Sequence, residues 1–148
     1  MKRIEKEKIE IFLSEVDKLF PTPLSKKQNL KDYASKLSEQ ADIFISLEDE
    51  KIMALVAGYI RNSVDEMVYI SVVATLPEAQ GKGLASGLVK DFIHSAEKNN
   101  KSAVHLYTDV SNKTAIHLYE KIGFVKYECE NESRPDDVHL IYYIKKES

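Results

Sequence analysis

Gln80-Gly81-Lys82-Gly83-Leu84-Ala85 is the stretch of sequence that decides the fold. It follows a predicted β-strand, Glu66 to Thr75, and it opens a predicted helix that runs to about Asn99. Glycine and alanine remove side-chain bulk where the chain turns from strand to helix. The first amides of a helix have no partner inside it and lie at its positive end, which suits a phosphate group. Together with the charge of Lys82, this predicts a cradle for a diphosphate.

Length and composition restrict the class of protein. The 148 residues suffice for one domain with a core and are too few for two ordinary domains, so we expect a single domain over residues 1–148. A net charge of −3 gives no support for nucleic-acid binding, which requires a basic domain or face. The single cysteine, Cys129, cannot form an internal disulfide. Neither a signal peptide nor an apolar run of about 18 residues is found, so the sequence predicts a cytoplasmic protein without a membrane partner.

Hydrophobic spacing predicts helices and strands in the order αα, βββ, α, β, α, ββ. The first two helices cover residues 4–20 and Leu30 to Gln40, and Pro21-Thr22-Pro23 ends the first of them. A later helix has Asn112 as its N-cap and Gly123 just after its end. The predicted strands are Ile43 to Leu47, Ile52 to Arg61, Glu66 to Thr75, Ala103 to Thr108, Phe124 to Glu130 and Val138 to Lys145. Because a helix joins the third strand to the fourth, we expect these two to be parallel. The fold class is therefore α/β (α+β), a mixed and mostly antiparallel sheet with a central parallel strand pair and helices on both faces.

Two segments together resemble the GNAT superfamily of N-acetyltransferases, which use acetyl-CoA. The first is similar to that family's Gln/Arg-x-x-Gly-x-Gly/Ala loop, with Gln80, Gly83 and Ala85 at the defining positions. The second, Asn112 to Phe124, is similar to the family's Asn-x-x-Ala-x-x-Leu-Tyr-x-x-x-Gly-Phe pattern. The resemblance implies the GNAT fold, with acetyl-CoA as acyl donor. It also implies direct attack, in a ternary complex, by a primary amine of a small molecule or peptide.

The resemblance also implies which residues hold the donor. Gln80 starts the loop, and the backbone amides from Gly81 through Ser86 would bind the CoA diphosphate, a run made of Gly81, Lys82, Gly83, Leu84, Ala85 and Ser86. Main-chain groups of Val73, Ala74 and Thr75 would bind pantetheine and the thioester oxygen, because the family's strand splays from its parallel neighbour here. Asn112 would touch the CoA arm as well as cap its helix. Tyr119 would lie near the CoA sulfur and protonate the leaving thiolate as general acid.

The sequence leaves the general base open. Glu66 and Tyr69, on the strand before the loop, are candidates, as is His105 on the next parallel strand, where its ordinary pKa suits the task. A histidine in a sheet is, however, more often structural. No metal is predicted, because no ligand spacing is found among the remaining histidines, which are His94, His117 and His139.

The acceptor is not encoded in any motif. By the resemblance, its pocket is built by residues 20–30 and by the predicted hairpin loop 131–137, whose acidic balance either attracts a cationic amine or is simply solvated. A homodimer is compatible with the superfamily, but no residue pattern indicates one. A non-catalytic CoA-binding regulatory module remains an alternative. A dinucleotide-binding protein is disfavoured, because the glycines are spaced Gly-x-Gly-x-x-x-Gly and no acidic residue follows at the expected distance.

Overall fold

The computed structural model describes residues 4–144 and places a six-stranded sheet between helices on both of its faces. The helices are α1 (Lys6–Val16), α2 (Leu24–Lys27), α3 (Leu30–Gln40), α4 (Leu84–Lys98) and α5 (Lys113–Ile122). The strands are β1 (Asp42–Glu48), β2 (Lys51–Tyr59), β3 (Met67–Thr75), β4 (Ala103–Thr108), β5 (Val125–Lys126) and β6 (Val138–Tyr143). Their order in the sheet is β1-β2-β3-β4-β6-β5, and all neighbours are antiparallel except the pair β3–β4. The predicted fold class is confirmed, including the central parallel pair.

Each face of the sheet carries its own hydrophobic core. On one face, α4 and α5 pack on the sheet through buried side chains such as Phe92, Val89 and Tyr119. On the other face, α1 and α3 contribute Leu13 and Leu37. The helical spacing that predicted α1, α3 and α4 therefore arises from one buried stripe on each helix.

Three local features differ from the predicted elements. The first helix ends at Val16 rather than at residue 20, and the following segment contains the unpredicted turn α2. Asp17 holds that turn, because its carboxylate accepts hydrogen bonds from the Ser25 amide at 2.9 Å and the Ser25 hydroxyl at 2.5 Å. The strand predicted over Phe124 to Glu130 is wrong in extent, since only Val125–Lys126 pair with β6. After them the Tyr127 amide still donates to the His139 oxygen at 2.9 Å, and the chain then turns, with Asn131 at a left-handed φ of +60°. Lys145, the predicted end of the last strand, lies outside the described residues.

A bulge in β3 changes the face of the sheet on which the following side chains of that strand lie. Ala57 pairs with Val72 and Gly58 pairs with Ile70, so the residue between them, Ser71, has no partner of its own on β2. Before the bulge, Ile70 packs in the core under α4; after it, Val72 packs in the core under α1 and α3. This shift occurs where β3 leaves its parallel neighbour.

Asp42, at the start of β1, has a buried carboxylate that accepts hydrogen bonds from the residues just after β2. Its exposed fraction is 6%, and it accepts hydrogen bonds from the Ile60 amide at 2.8 Å, the Arg61 amide at 3.1 Å and the Arg61 Nε at 2.6 Å.

Asp42→Ala is expected to lower the free energy of unfolding by about 2–3 kcal/mol, because the buried Ile60 amide loses its acceptor. Urea unfolding measures this. Asp91→Ala, at an exposed position of α4, is the control and should change stability by less than about 0.5 kcal/mol. Equal losses in both variants would contradict the prediction.

Within residues 4–144, no helix has the length and apolar character needed to cross a membrane. The single domain, the cytoplasmic location and the homodimer stay predictions.

Candidate active site

The glycine loop presents free backbone amides to open space. Gly81 and Gly83 have left-handed φ angles of +83° and +75°, a conformation that side chains rarely adopt. Gly83 is the N-cap of α4 without a side-chain cap, and the first helical hydrogen bond runs from the Gly87 amide to the Gly83 oxygen at 3.1 Å. The amides of residues 84–86 precede that bond and so lack a helical partner. A Cβ built on Gly81 or Gly83 would meet no described residue within 4 Å, apart from the adjoining residues and the helix's own backbone. The loop therefore has the unpartnered amides and the room that a diphosphate needs.

The parallel strands β3 and β4 separate just before this loop. Their pairing runs from Met67 opposite Ala103 to Tyr69 opposite His105, and no further pair follows. Beyond that point β3 stays paired with β2 as far as Thr75, whereas β4 stays paired with β6 as far as Thr108. One edge of β3 after Tyr69 is therefore free of β4, and backbone groups along it are available to a ligand.

Two cavities meet at the gap between these strands. The first, which we call the loop cavity, has a volume of about 610 Å³ and adjoins the glycine loop. The second, which we call the tyrosine cavity, has a volume of about 570 Å³ and is lined by Tyr69 to Val73 of β3 and by Leu106 to Thr108 of β4. Phe20, Val73, Asn112, Ala115 and Tyr119 line both cavities and so form the junction.

The loop cavity gathers the residues that the sequence analysis assigned to the donor, with Lys82 as the exception. Those lining it are Val73, Ala74, Thr75, Gln80, Gly81, Gly83, Leu84, Ala85, Ser86, Asn112 and Tyr119. Asn112 also caps α5, since its side-chain oxygen accepts from the Ala115 amide at 3.2 Å. Lys82 is exposed in the loop itself. Residues separated by more than 40 positions thus meet at one cavity, although their roles in donor binding stay predictions.

Tyrosine is the most frequent residue in the wall of the tyrosine cavity. Five of the chain's eight tyrosines line it, namely Tyr33, Tyr59, Tyr69, Tyr107 and Tyr119. The segments predicted to build the acceptor pocket also contribute, namely Phe20, Pro21, Thr22, Leu24, Lys27, Gln28, Arg134 and Asp137. Arg134 forms an ion pair with Asp137 and places its guanidinium 4.9 Å from the Tyr107 ring centre. The cavity therefore combines apolar ring faces with a few charged groups at its wall.

Tyr119 lies at the junction of the two cavities. Its exposed fraction is 6%, and its hydroxyl makes no hydrogen bond to any residue in the described part of the chain. Burial raises the pKa of Tyr119 well above the ordinary tyrosine value. The hydroxyl therefore keeps its proton at physiological pH and is free to donate it to a bound molecule.

Two other catalytic candidates lie away from the junction. Glu66 lies just before β3, at the end of the strand that is away from the glycine loop. It is roughly 20 Å along the strand from Val73 and lines neither cavity. His105 lines neither cavity either. Its neighbours Tyr69 and Tyr107, whose ring centres lie 5.3 Å and 6.4 Å from its own, do line the tyrosine cavity. Burial and the neighbouring His139 lower the pKa of His105 to about 4, which makes it a weak base. We therefore carry neither residue into the proposed site.

The sequence analysis missed the contact that holds the bulge. The hydroxyls of Tyr33 on α3 and Ser71 on β3 are hydrogen-bonded to each other beside the tyrosine cavity. Burial raises the pKa of Tyr33, so this hydroxyl is neutral. In the sequence Tyr33 looks like one apolar residue of a helix face, and only the high tyrosine content hinted at an aromatic pocket.

Solved structures share this fold along nearly the whole chain. A ribosomal-protein-alanine N-acetyltransferase from Brucella melitensis has a TM-score of 0.73 at 12% identity, covering 97% of this chain and 98% of that one. PaiA N-acetyltransferase from Thermoplasma acidophilum, in complex with coenzyme A, has a TM-score of 0.73 at 12% identity and covers 97% of both chains. YncA from Salmonella typhimurium, a putative acetyltransferase solved with acetyl-CoA, has a TM-score of 0.70 at 16% identity, covering 99% and 94%. At these identities the likeness shows the fold alone.

Sequence comparison reaches the family level. No curated protein is significantly similar to this chain. The family model described as "Acetyltransferase (GNAT) family" matches residues 9–124, which include both sequence motifs, and it confirms the resemblance on which the sequence analysis relied. The chain belongs to the acetyltransferase (GNAT) family.

Proposed function

We propose that the protein is an N-acetyltransferase that transfers the acetyl group of acetyl-CoA to a primary amine of a small molecule or peptide, by direct attack in a ternary complex. The observation that carries this proposal is the meeting of two cavities at the splayed strands, with Tyr119 at their junction. One cavity offers free helix amides for a diphosphate, and the other offers a separate entry for the amine. Family membership supports the reaction, and the bound CoA and acetyl-CoA of the Thermoplasma and Salmonella proteins support the donor.

The donor site divides into two parts. Amides of the loop and the first turn of α4 bind the diphosphate, and the side chain of Lys82 adds a positive charge beside them. Main-chain groups along the free edge of β3, from Val73 to Thr75, hold the pantetheine arm so that the thioester reaches the junction. Asn112, which lines the same cavity, also contacts the arm.

At the junction, residues of this chain stabilise the charges that develop during the reaction. Acetyl-CoA supplies the thioester carbonyl that the amine attacks. Backbone donors on the free edge of β3 stabilise the negative charge on the carbonyl oxygen, a contribution on the order of 10²–10³ in rate for a single donor. As the carbon–sulfur bond breaks, Tyr119 gives its proton to the sulfur, so the products are an amide and CoA with a free thiol. Water returns a proton to Tyr119, and the amine's proton is released to solvent.

The tyrosine cavity suits the amine before and after it loses its proton. The ring face of Tyr69 attracts an ammonium group and also accommodates the neutral amine and an apolar substituent, whereas the ring of Tyr107 is stacked on His139 and lies under the Arg134 guanidinium. A lysine-like amine is only about one part in a few thousand neutral at pH 7, whereas an α-amine is about one part in ten. The need for a general base therefore depends on the pKa of the acceptor's amine.

Tyr119→Phe removes the proton donor and keeps the ring. We expect turnover to fall by roughly 10–100-fold, at the low end for a general acid because a thiolate of pKa about 8.5 leaves tolerably well unaided. The dissociation constant of CoA should stay within about threefold, since donor binding rests mainly on backbone groups. Release of free thiol in steady state measures turnover, and calorimetric titration with CoA measures binding. Unchanged turnover would remove Tyr119 from the mechanism.

The rate should also rise with pH. Because only the neutral amine attacks, kcat/KM is expected to increase about tenfold per pH unit below the amine's pKa. Burial raises the pKa of Tyr119, so its proton remains in place and no decline is expected up to about pH 9. Thiol release at a series of pH values tests this. A decline below pH 9 that disappears in Tyr119→Phe would show that Tyr119 ionises in this range.

A panel of amines tests the proposed function itself. The full chain is incubated with acetyl-CoA and with α-amino acids, peptides with free N-termini, amino sugars and polyamines, and free thiol and acetylated product are both measured. We expect amine-dependent thiol release with a matching amount of acetylated product for at least one class. Tight CoA binding without turnover on any class would overturn catalysis and favour the regulatory module.

A further inference from the structure

Three metal-ligating side chains converge near the loop between β5 and β6. Cys129, Glu132 and His139 each offer one donor atom, and these three atoms lie within 4.8 Å of one another. The Cys129 sulfur is 3.2 Å from Glu132 Oε2, and His139 Nδ1 is 2.7 Å from the same oxygen. Ligands bound at about 2.0–2.3 Å around one tetrahedral Zn²⁺ lie roughly 3–4 Å apart. Small side-chain adjustments would therefore place all three donor atoms around one ion.

The surrounding contacts orient these ligands as an outer shell does in metal sites. Glu132 Oε1 accepts from the Tyr107 hydroxyl and from the Arg134 amide at 3.4 Å, which leaves Oε2 facing Cys129 and His139. His139 is buried, with an exposed fraction of 7%, and its Nε2 lies 2.8 Å from His105 Nδ1. A ligating histidine usually donates its second ring N–H to a carboxylate, a carbonyl or water, and here His105 Nδ1 stands in that place; a ligating carboxylate is also hydrogen-bonded.

We propose that Cys129, Glu132 and His139 bind a zinc ion, with a water molecule in the fourth position. Thiolate, imidazole and carboxylate together suit Zn²⁺, whereas Ca²⁺ and Mg²⁺ prefer oxygen donors alone. On binding, the Cys129 thiol releases its proton to solvent. His139 binds through Nδ1 and carries its proton on Nε2, which donates to His105 Nδ1. His105 then carries its own proton on the opposite nitrogen, so one proton is released overall.

The zinc site would fix one wall of the tyrosine cavity. Tyr107 and Arg134 line that cavity, and both donate to the carboxylate of Glu132. Their positions would therefore depend on the ligand cluster, and the ion would order the segment from Cys129 to His139 that carries them. The histidine spacing considered in the sequence analysis could not reveal this site, because it uses a single histidine with a cysteine and a glutamate.

Spectroscopy with cobalt tests the zinc site without using activity. The full chain, freed of any affinity tag, is titrated with Co²⁺ and then with Zn²⁺. We expect a thiolate-to-cobalt charge-transfer band in the near ultraviolet, displaced by Zn²⁺ at one ion per chain. Cys129→Ser should remove the band, and Glu132→Gln and His139→Ala should weaken Zn²⁺ binding by more than roughly tenfold. The matched controls, Glu130→Gln and His117→Ala, change exposed side chains outside the cluster and should leave binding within about twofold.

A second measurement needs no variant and so does not depend on their folding. Cys129 is exposed, and alkylation of the wild-type thiol by iodoacetamide can be followed directly. We expect Zn²⁺ to slow alkylation by at least roughly tenfold and Mg²⁺ to leave it unchanged, because a bound thiolate is no longer free to react. Equal alkylation rates with and without Zn²⁺, absence of the charge-transfer band, or Zn²⁺ binding that survives both Cys129→Ser and His139→Ala would each overturn the zinc site.

Discussion

Gly83→Val is expected to weaken CoA binding by roughly 100-fold, which is about 2.7 kcal/mol. Gly83 has a φ of +75°, and a residue with a side chain disfavours this left-handed conformation by about 1–2 kcal/mol. The free loop would therefore leave the geometry that binds the diphosphate. The added side chain would also enter the space in front of the first amides of α4, which the described residues leave open. Calorimetric titration with CoA measures the change.

Gly87→Ala is the matched control for the loop variant. Gly87 lies one turn further along α4, has no left-handed φ and does not line the loop cavity. We expect CoA affinity within about threefold of the unaltered protein and a gain in stability of about 0.5–1 kcal/mol, because alanine is the better helix former. If Gly83→Val bound CoA as tightly as Gly87→Ala does, the glycine loop would not be the diphosphate site.

Gly58→Ala is expected to cause the largest loss of stability, about 3 kcal/mol or more. A Cβ on Gly58 would lie 2.3 Å from the carbonyl oxygen of Tyr69 and 2.7 Å from the ring of Phe92. The carbonyl belongs to the paired backbone of β3, so it cannot move without disturbing the bulge at Ser71. Urea unfolding measures the stability loss.

The same substitution should also weaken CoA binding, because the bulge is where β3 parts from β4. Gly87→Ala again serves as control, since a Cβ there meets nothing within 4 Å among the described residues outside its own helix turn. A loss below about 1 kcal/mol in Gly58→Ala would show that the strands yield easily at this point and that the bulge is not held by close packing.

Local sequence signals were sufficient to predict much of the fold and to select the residues expected to bind the acyl donor. The glycine loop, the cap at Asn112 and the glycine at Gly123 each act within a few residues, and the structure places them as the sequence predicted. Gly123 has a φ of +127°, the positive angle expected after a helix end. Two motifs of this kind also sufficed to identify the family, because donor binding depends on backbone geometry at fixed spacing.

Long-range pairing explains what could not be predicted. The β3 bulge depends on the register against β2 and on Tyr33, which is 38 residues from Ser71. Likewise, the tyrosine cavity is assembled from side chains of α3, β2, β3, β4 and α5, none of which is distinctive in its own segment. The shortened β5 has the same kind of cause: the Tyr127 amide still donates to the His139 oxygen at 2.9 Å, but the Cys129 thiol then hydrogen-bonds to Glu132 rather than continuing the strand pairing.

The candidates for the general base show that membership of a strand does not place a residue in the site. Glu66 and His105 were chosen because they belong to the two strands that separate at the site. The structure places Glu66 at the wrong end of its strand and commits His105 to a hydrogen bond with His139. The direction of a strand is readable from sequence, but the partners of a side chain on the neighbouring strands, such as His139 for His105, are not.

A crystal structure of the protein with bound CoA tests the central claim most directly. We expect diphosphate oxygens within about 3.2 Å of main-chain nitrogens between Gly81 and Ser86, with the sulfur at the junction beside Tyr119. CoA bound with its diphosphate away from the glycine loop, or with its sulfur pointing out of the junction, would contradict the account.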